Sequence, residues 1–529
     1  MSRTAALDRF DRWITRRRRP LGWAVFAFVL TLLTATLTAP GITWDEPHYF
    51  LSAQLQVKWV ETLLEEGPSG ALDREKIREM WDWRHYHNPH PPLYKEGMAL
   101  TWWTTRGWLG PLAGYRLFPA LCFALLVAVA FRWGTAAWSG IGGFGAAASI
   151  LLMPRLFGHA HLGATETPLM VAWTVVAASA WWAVERERAA GWIVAGIAWG
   201  FAAGTKFSGI AAFAPVLLWA LWRDRQAALR GAALATGVAT VFFVGTNPLV
   251  WAGPAEFFGT WFWESLHRAD YAPIPTFYLG NRYGFDVPWH HVFVMTMAVT
   301  PLPILAMAAL GAVFGAERLE PAAVLAAGSV VFVWTMMLVP GAPHHNGVRQ
   351  FVSLFPFLGM LAGYGLYRAC ESLDGVPFAL VTALVFAPPS VQLVRSHPYY
   401  LEYYGEAVGG VPGAHRLGFE TTYWMDVVTD DVLHWMNRNL PRNATVLVHG
   451  APMTLQFARA YGRVRDDLEF VGHDDGAEAA GYFLVPMSQF SLGPTLQRAV
   501  ERGEPLYELT HRGVRLLAIY RLEPQGDRS

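Results

Sequence analysis

Eleven apolar runs punctuate this 529-residue chain, and they fix its surroundings before any motif is considered. They cover roughly 21–39, 115–133, 140–154, 167–184, 190–204, 207–222, 231–251, 290–314, 321–340, 350–368 and 376–395. A helix of about 17–25 apolar residues is long enough to cross the hydrocarbon core of a bilayer. The runs at 140–154 and 190–204 are the shortest of the set. Charged residues make up only 16% of the chain and hydrophobic ones 53%. A soluble domain carries nearer a quarter charged, so the composition fits a polytopic α-helical membrane protein. The 25 Trp, 18 Tyr and 32 Phe suit aromatic belts at the two interfaces. A formal net charge of zero supplies no electrostatic footprint for nucleic acid. No internal repeat is evident.

The first run reads as a retained helix. It has the length of a span, and Pro40 is followed by "GITWDE" instead of a small-residue cleavage site. Cys122 and Cys370 both fall in apolar stretches without metal spacing, so neither a disulfide nor a thiolate site is expected.

Arg16, Arg17, Arg18 and Arg19 precede the first span, which puts residues 1–20 in the cytoplasm as a basic tail. Alternation then places 185–188, 223–230, Arg318 and Arg368 inside too, in agreement with their charge. The long aromatic loops 40–114, 252–289 and 341–349 fall outside, and the chemistry is expected there. Residues 21–395 form the membrane domain. Beyond about 396 the hydropathy falls. "ATVLVHG" (444–450), "GYFLVPM" (481–487) and "GVRLLAIYRL" (513–522) read as strands, and 426–439 as a helix. Residues 396–529 are therefore expected to be a small extracytoplasmic α/β domain.

Four clusters stand out. In "GITWDEPHY", Asp45 and Glu46 sit at the mouth of the first span, between Trp44 and Pro47. They read either as a solvated helix end or as a carboxylate general base. In "HYHNPHPPLY", His85, His87 and His90 either decorate a stiff proline turn or approach a metal ion. Glu166 heads the fourth span, where an acid also favours a helix N-terminus without any catalytic part. Arg155, Lys206 and Arg349 run against the inside preference for positive charge. Snorkelling explains such cations, and so does a clamp on a lipid phosphate. Acids and cations on one face suit a phosphate-linked substrate meeting a hydroxyl.

An ordered set of pieces carries a resemblance. These are "WDEPHYF", "HNPHPPLY", "GHAHLGATETPLM", "GTKFSGI", "PTFYLGNRYGFDVPWHH" with "TPLP", "GAPHHNGVRQF" and "HPYYLEYYGEAVGGVPGAHRLGFETTYWMD", spread over about 40–430. The pattern resembles the GT-C glycosyltransferases, in the branch of protein O-mannosyltransferases and bacterial lipid A aminoarabinose transferases. The resemblance implies a GT-C-like fold in a bacterial inner membrane. It implies an inverting transfer from a polyprenyl-phosphate-linked sugar to an acceptor hydroxyl on a protein, lipid or glycan. It assigns Asp45 as general base, Glu46 as the neighbour that places acceptor or donor, and Arg349 as a phosphate contact with Lys206 behind it. Glu166 stands where relatives usually carry Asp. Relatives that use a divalent ion have an acid near the "PPLY" motif. This chain has Asn88 and His90 there, so a metal requirement stays open, with His87 or His90 as substitutes.

Two other classes compete: a multispan transporter or flippase of lipid-linked sugars, and a non-catalytic assembly subunit. The absence of a repeat and the gathering of charges at one face favour the transferase. The topology has a direct check. A reporter fused after Ser529 is expected to be active only if it works outside the cytoplasm, and cytoplasmic activity would remove one span from the count.

Overall fold

The computed structural model describes residues 5–82, 90–267, 274–372, 378–473, 480–489, 491–492 and 494–522. All eleven apolar runs are largely helical, and the chain is a multi-pass membrane protein. Among the described residues six helices have span length and apolarity: Arg18–Thr36, Pro111–Ala137, Glu166–Glu185, Arg225–Gly245, Arg349–Glu371 and Phe378–Arg395. Leu302–Arg318 and Pro321–Met337 form a pair bent by 120°, and Gly140–Leu151, Ala190–Thr205 and Phe207–Arg223 are shorter apolar helices. The expected eleven full spans are thus not met on length. The causes are local. Pro301 lacks an N–H and divides 290–314 into His291–Val299 and Leu302–Arg318. Lys206 is extended (φ −154°, ψ 147°) and ends the helix Ala190–Thr205.

The helices approach closely through small residues, as membrane bundles without an inter-helix hydrophobic drive require. A Cβ at Gly311 of Leu302–Arg318 would stand 1.9 Å from the Leu361 carbonyl oxygen on Phe355–Ser372, and one at Gly365 would stand 2.0 Å from that of Met307. Helix Ala5–Arg16 of the basic tail packs on the start of Gly140–Leu151, where Asp11 accepts from the Ile141 amide at 3.0 Å.

The described parts of loop 40–114 fold largely into helices. Glu46–Glu66 starts at the Asp-Glu pair with Pro47 in its first turn, where the missing N–H costs nothing. Leu93–Leu109 follows the proline turn. A hairpin, β1 (Thr276–Tyr278) and β2 (Asn281–Tyr283), lies in loop 252–289.

The C-terminal unit holds a five-stranded sheet of β3 (Thr445–Val448), β4 (Glu469–Val471), β5 (Tyr482–Pro486), β6 (Tyr507–His511) and β7 (Val514–Arg521), in the order β4-β3-β5-β7-β6. β4, β3 and β5 are parallel; β7 pairs antiparallel with β5 and β6. The three expected strands and the helix Asp430–Asn439 are present; the short β4 and the edge strand β6 join them. Apolar side chains of this unit, such as Val446 and Leu517, share one core with Ile42, Tyr49 and Phe50 of the first loop. Residues 399–428 lie between. Tyr400, Tyr404 and Phe419 enter the membrane-helix core, while Tyr423 to Met425 enter the core below the sheet.

The close helix crossing is testable. Gly311→Val or Gly365→Val is expected to cost about 1–3 kcal/mol by overpacking, read as a lower melting temperature in detergent. Gly237→Ala, where nothing lies within 4 Å of the added Cβ, should not lower it, since alanine is the better helix former.

Candidate active site

The site is built where helix starts meet. Asp45 is the residue before helix Glu46–Glu66, and its side chain makes no cap bond there. Instead Oδ2 accepts from Arg349 Nη2 at 2.7 Å, and the Tyr49 hydroxyl lies 3.5 Å from the same oxygen. Arg349 Nε donates to Glu166 Oε1 at 3.1 Å. One guanidinium therefore joins two carboxylates that lie 121 residues apart in the chain (166 − 45). Its charged carbon sits 3.6 Å from the ring centroid of Trp424, a cation–π contact in a desolvated setting. The Asn346–Gly347 turn aims Arg349. Both residues are left-handed, at φ 59° and 65°, and a Cβ at Gly347 would stand 2.9 Å from the Tyr423 ring.

Lys206 Nζ donates to Gln350 Oε1 at 3.1 Å and lies 3.9 Å from Glu166 Oε1. Desolvation pulls its pKa down to about 8 against the opposing pull of Glu166. Exposure separates the two acids: the Asp45 side chain is 29% exposed, that of Glu166 1%. Thr165 donates to Glu166 Oε1 at 3.1 Å, while Oε2 is buried without a partner.

Glu46 has a different place from the one expected beside the reacting groups. It is fully buried, and both oxygens are occupied. Oε1 accepts from Arg116 Nε and the Gly163 amide, each at 2.8 Å. Oε2 accepts from Arg116 Nη2 at 2.7 Å and from the Thr43 amide at 2.8 Å. The remaining Arg116 bonds go to the carbonyls of Leu37, Pro40 and Gly41. This knot ties the end of the first helix, the Asp45 turn and the Gly163 loop ahead of Glu166. Glu46 positions the site and has no lone pair left over for a substrate.

Arg155 is also set apart. It is buried, donates from Nε to the Tyr403 carbonyl at 2.8 Å, and lies 4.4 Å from the ring centroid of Tyr404 and 5.5 Å from that of Tyr423. It braces segment 399–428 and makes no bond to Asp45 or Glu166.

His90 stands near the cluster, its ring 6.4 Å from that of Tyr49, and its carbonyl accepts from Lys95 Nζ at 2.9 Å. Desolvation, then Lys206 and Lys95, holds its imidazole well below the usual pKa. His85 and His87 lie outside the described residues. Among the described residues no three His, Cys, Asp or Glu side chains converge on a common point. Lys206 and Lys95 beside His90 make a poor setting for a divalent ion at that residue, and no step below uses a metal.

Sequence reasoning missed Arg116, Trp424, Gln350 and Tyr49. Arg116 had a signal: an arginine inside an apolar run is costly in a membrane unless paired. Trp424 had none, because its role comes from a contact between segments far apart in sequence.

Residues 110–251 match the family model described as dolichyl-phosphate-mannose-protein mannosyltransferase. That stretch holds Arg116, Glu166 and Lys206, but not Asp45 or Arg349. No curated protein sequence matches the chain. Among solved structures, ArnT from Cupriavidus metallidurans bound to undecaprenyl phosphate superposes with a TM-score of 0.50 at 15% identity, over 94% of this chain and 98% of that one. The archaeal oligosaccharyltransferase AglB from Archaeoglobus fulgidus, in complex with an inhibitory peptide and a dolichol-phosphate, gives 0.49 at 11% identity, over 96% and 75%. The likeness to ArnT is one of fold. With the family match, the resemblance to GT-C glycosyltransferases read from the motifs holds.

The Glu46–Arg116 pair makes a prediction. Removing one partner of a buried pair leaves the other charge unmatched, at a cost of about 3–5 kcal/mol. Glu46→Ala is expected to lower thermal stability by that order. Retention of full stability would show that Glu46 does not hold the loop.

Proposed function

We propose that this chain is an integral membrane glycosyltransferase that moves a sugar from a polyprenyl-phosphate donor to a hydroxyl of a protein, lipid or glycan. The reaction inverts the anomeric carbon and runs at the extracytoplasmic face of a bacterial inner membrane. The observation that carries this reading is the meeting of Asp45, Glu166, Arg349 and Lys206, from four separate segments, at helix starts. The mannosyltransferase family match supports a lipid-linked sugar donor. The fold shared with ArnT, whose structure holds undecaprenyl phosphate, agrees with it. A transporter has less use for charges gathered at one end of the helices.

In this reading Asp45, the more exposed acid, takes the proton of the acceptor hydroxyl. The hydroxyl oxygen attacks the anomeric carbon from the face opposite the phosphate. The bond from that carbon to the phosphate oxygen breaks, and its electron pair leaves with the polyprenyl phosphate. A preorganised cation then stabilises the leaving charge. Arg349 Nε and Nη2 hold Glu166 and Asp45, and its Nη1 makes no hydrogen bond among the described residues. Lys206, bonded among the described residues to Gln350 and at long range to Glu166, has donors to spare. Lys206 and Arg349 Nη1 are therefore the phosphate contacts, and Arg349 also holds the two acids in position. Glu166 keeps Lys206 protonated against its desolvation.

Two measurements on purified protein with a synthetic polyprenyl-phosphate sugar test this. Asp45→Asn is expected to lower transfer by about 10²–10⁴-fold with donor binding retained; near wild-type turnover would move the base to Glu166. Lys206 loses its charge as pH rises through about 8, whereas a phosphodiester keeps its charge there. Donor affinity should therefore fall across that range, and Lys206→Arg, which stays charged, should flatten the profile. An unchanged profile would return Lys206 to a structural part.

A further inference from the structure

The carboxyl ends of the parallel strands β3 and β4 carry a histidine each, and neither belongs to the site above. His449 follows β3, and His473 lies two residues beyond β4. Open α/β sheets bind ligands at that edge. His449 Nδ1 and His473 Nε2 stand 3.4 Å apart, with the two rings at 78°. The Phe483 ring packs edge-on against both, at 6.3 and 5.9 Å between centroids.

The hydrogen bonds around His449 agree with one tautomer. Ser491 Oγ donates to the Ser488 carbonyl at 3.0 Å, an oxygen that can only accept. The Ser491 hydroxyl hydrogen is thereby used, so at 3.1 Å its oxygen accepts from His449 Nε2–H. A neutral imidazole carries one hydrogen, so His449 Nδ1 bears a lone pair, and it faces His473 Nε2. This is the arrangement of a metal ligand whose other ring nitrogen is tethered to an outer partner.

The spacing agrees. Two nitrogens at about 2.0–2.1 Å from a tetrahedral zinc ion stand about 3.3–3.4 Å apart, whereas an unassisted hydrogen bond from nitrogen prefers about 2.9–3.0 Å. A second pair in the chain supplies the contrast. His344 Nε2 donates to the Met337 carbonyl at 3.1 Å, and its bare Nδ1 accepts from His291 Nδ1 at 3.0 Å. That pair is buried and closed at hydrogen-bond length. The His449–His473 pair is longer, and His473 is exposed.

We propose that His449 and His473 form a two-imidazole site for a divalent transition-metal ion of the zinc class, with Ser491 as the residue that sets the ligand tautomer. Imidazole nitrogens suit Zn²⁺, Ni²⁺ and Cu²⁺ over Mg²⁺ or Ca²⁺. The site lies close to the transferase mouth. A Cβ at Gly450 would touch the Trp44 ring at 3.3 Å, and Trp44 precedes Asp45. The inference does not rest on the transfer reaction, and its test does not read activity.

The test is calorimetric titration of Zn²⁺ into the full chain in detergent after chelator treatment, with Co²⁺ absorption reporting geometry. One saturable zinc per chain is expected, lost in His449→Ala and in His473→Ala. Ser491→Ala keeps both ligands but frees the tautomer, and should weaken binding by about 10–100-fold. Thermal melts establish that each variant is folded. No saturable binding to the folded wild-type chain would overturn the proposal. So would an affinity unmoved by both histidine variants, or one lost instead in His90→Ala.

Discussion

The arrangement depends on one guanidinium. Arg349 reaches Asp45 through Nη2 and Glu166 through Nε, and Trp424 covers its face. A lysine would present one point charge; the planar fork of arginine meets two acceptors in fixed directions at once. The Trp424 carbonyl accepts from the Trp44 amide at 3.0 Å, next to Asp45. Four segments far apart in the chain thus close on each other around a single charge. Without that charge, Asp45 would lose its cation and Glu166 would keep only the longer contact to Lys206, and the helices they head would lose their common reference point.

An adjacent Asp-Glu pair at a membrane mouth invites mutual repulsion. The structure resolves it by giving each carboxylate its own arginine on opposite sides of the helix start. Glu46 turns inward to Arg116 and is sealed; Asp45 turns to Arg349 and keeps 29% of its side chain exposed. The buried pair is of the kind that adds little net stability over an apolar substitute but is costly to break singly. Its use is geometric. By joining the carbonyls after the first helix to the Gly163 amide, it sets the distance between the Asp45 turn and the start of helix Glu166–Glu185.

Much of this was legible in the sequence because it follows from local rules. Every apolar run is helical, and the three strands rich in β-branched or aliphatic residues appear where patterning placed them. Helix lengths were less legible, since apolarity passes smoothly through Pro301 while the backbone does not. Strands β4 and β6 carry polar residues at an edge, a weak signal by itself. Asp45, Glu166, Arg349 and Lys206 were found as residues that break a rule of membrane composition. The division of labour among them was not, because it rests on partners. Arg349 and Lys206 look alike as stray cations. Only the bonds show that Arg349 is shared between Asp45 and Glu166 while Lys206 turns to Gln350. Arg155 broke the same rule; its Nε bonds a backbone carbonyl and its face meets two tyrosine rings, while Nη1 and Nη2 are buried without a hydrogen-bond partner among the described residues.

Charge balance links these parts to the proposed reaction. Asp45 and Glu166 offset Arg349 and Lys206, so the resting cluster is near neutral and tolerable at a membrane boundary. A polyprenyl-phosphate sugar brings one negative charge, and departure of the phosphate from the sugar adds a second to it. In the same step the proposed base gains a proton and loses its own negative charge, so the net charge of the site does not change. Its location does. A protonated Asp45 no longer draws Arg349 Nη2 as strongly, and that donor becomes available just as negative charge builds on the phosphate oxygen beside Lys206. Interactions that strengthen only as the transition state forms are the ones that accelerate a reaction. An arginine held by the base itself meets that condition without any large movement of the chain.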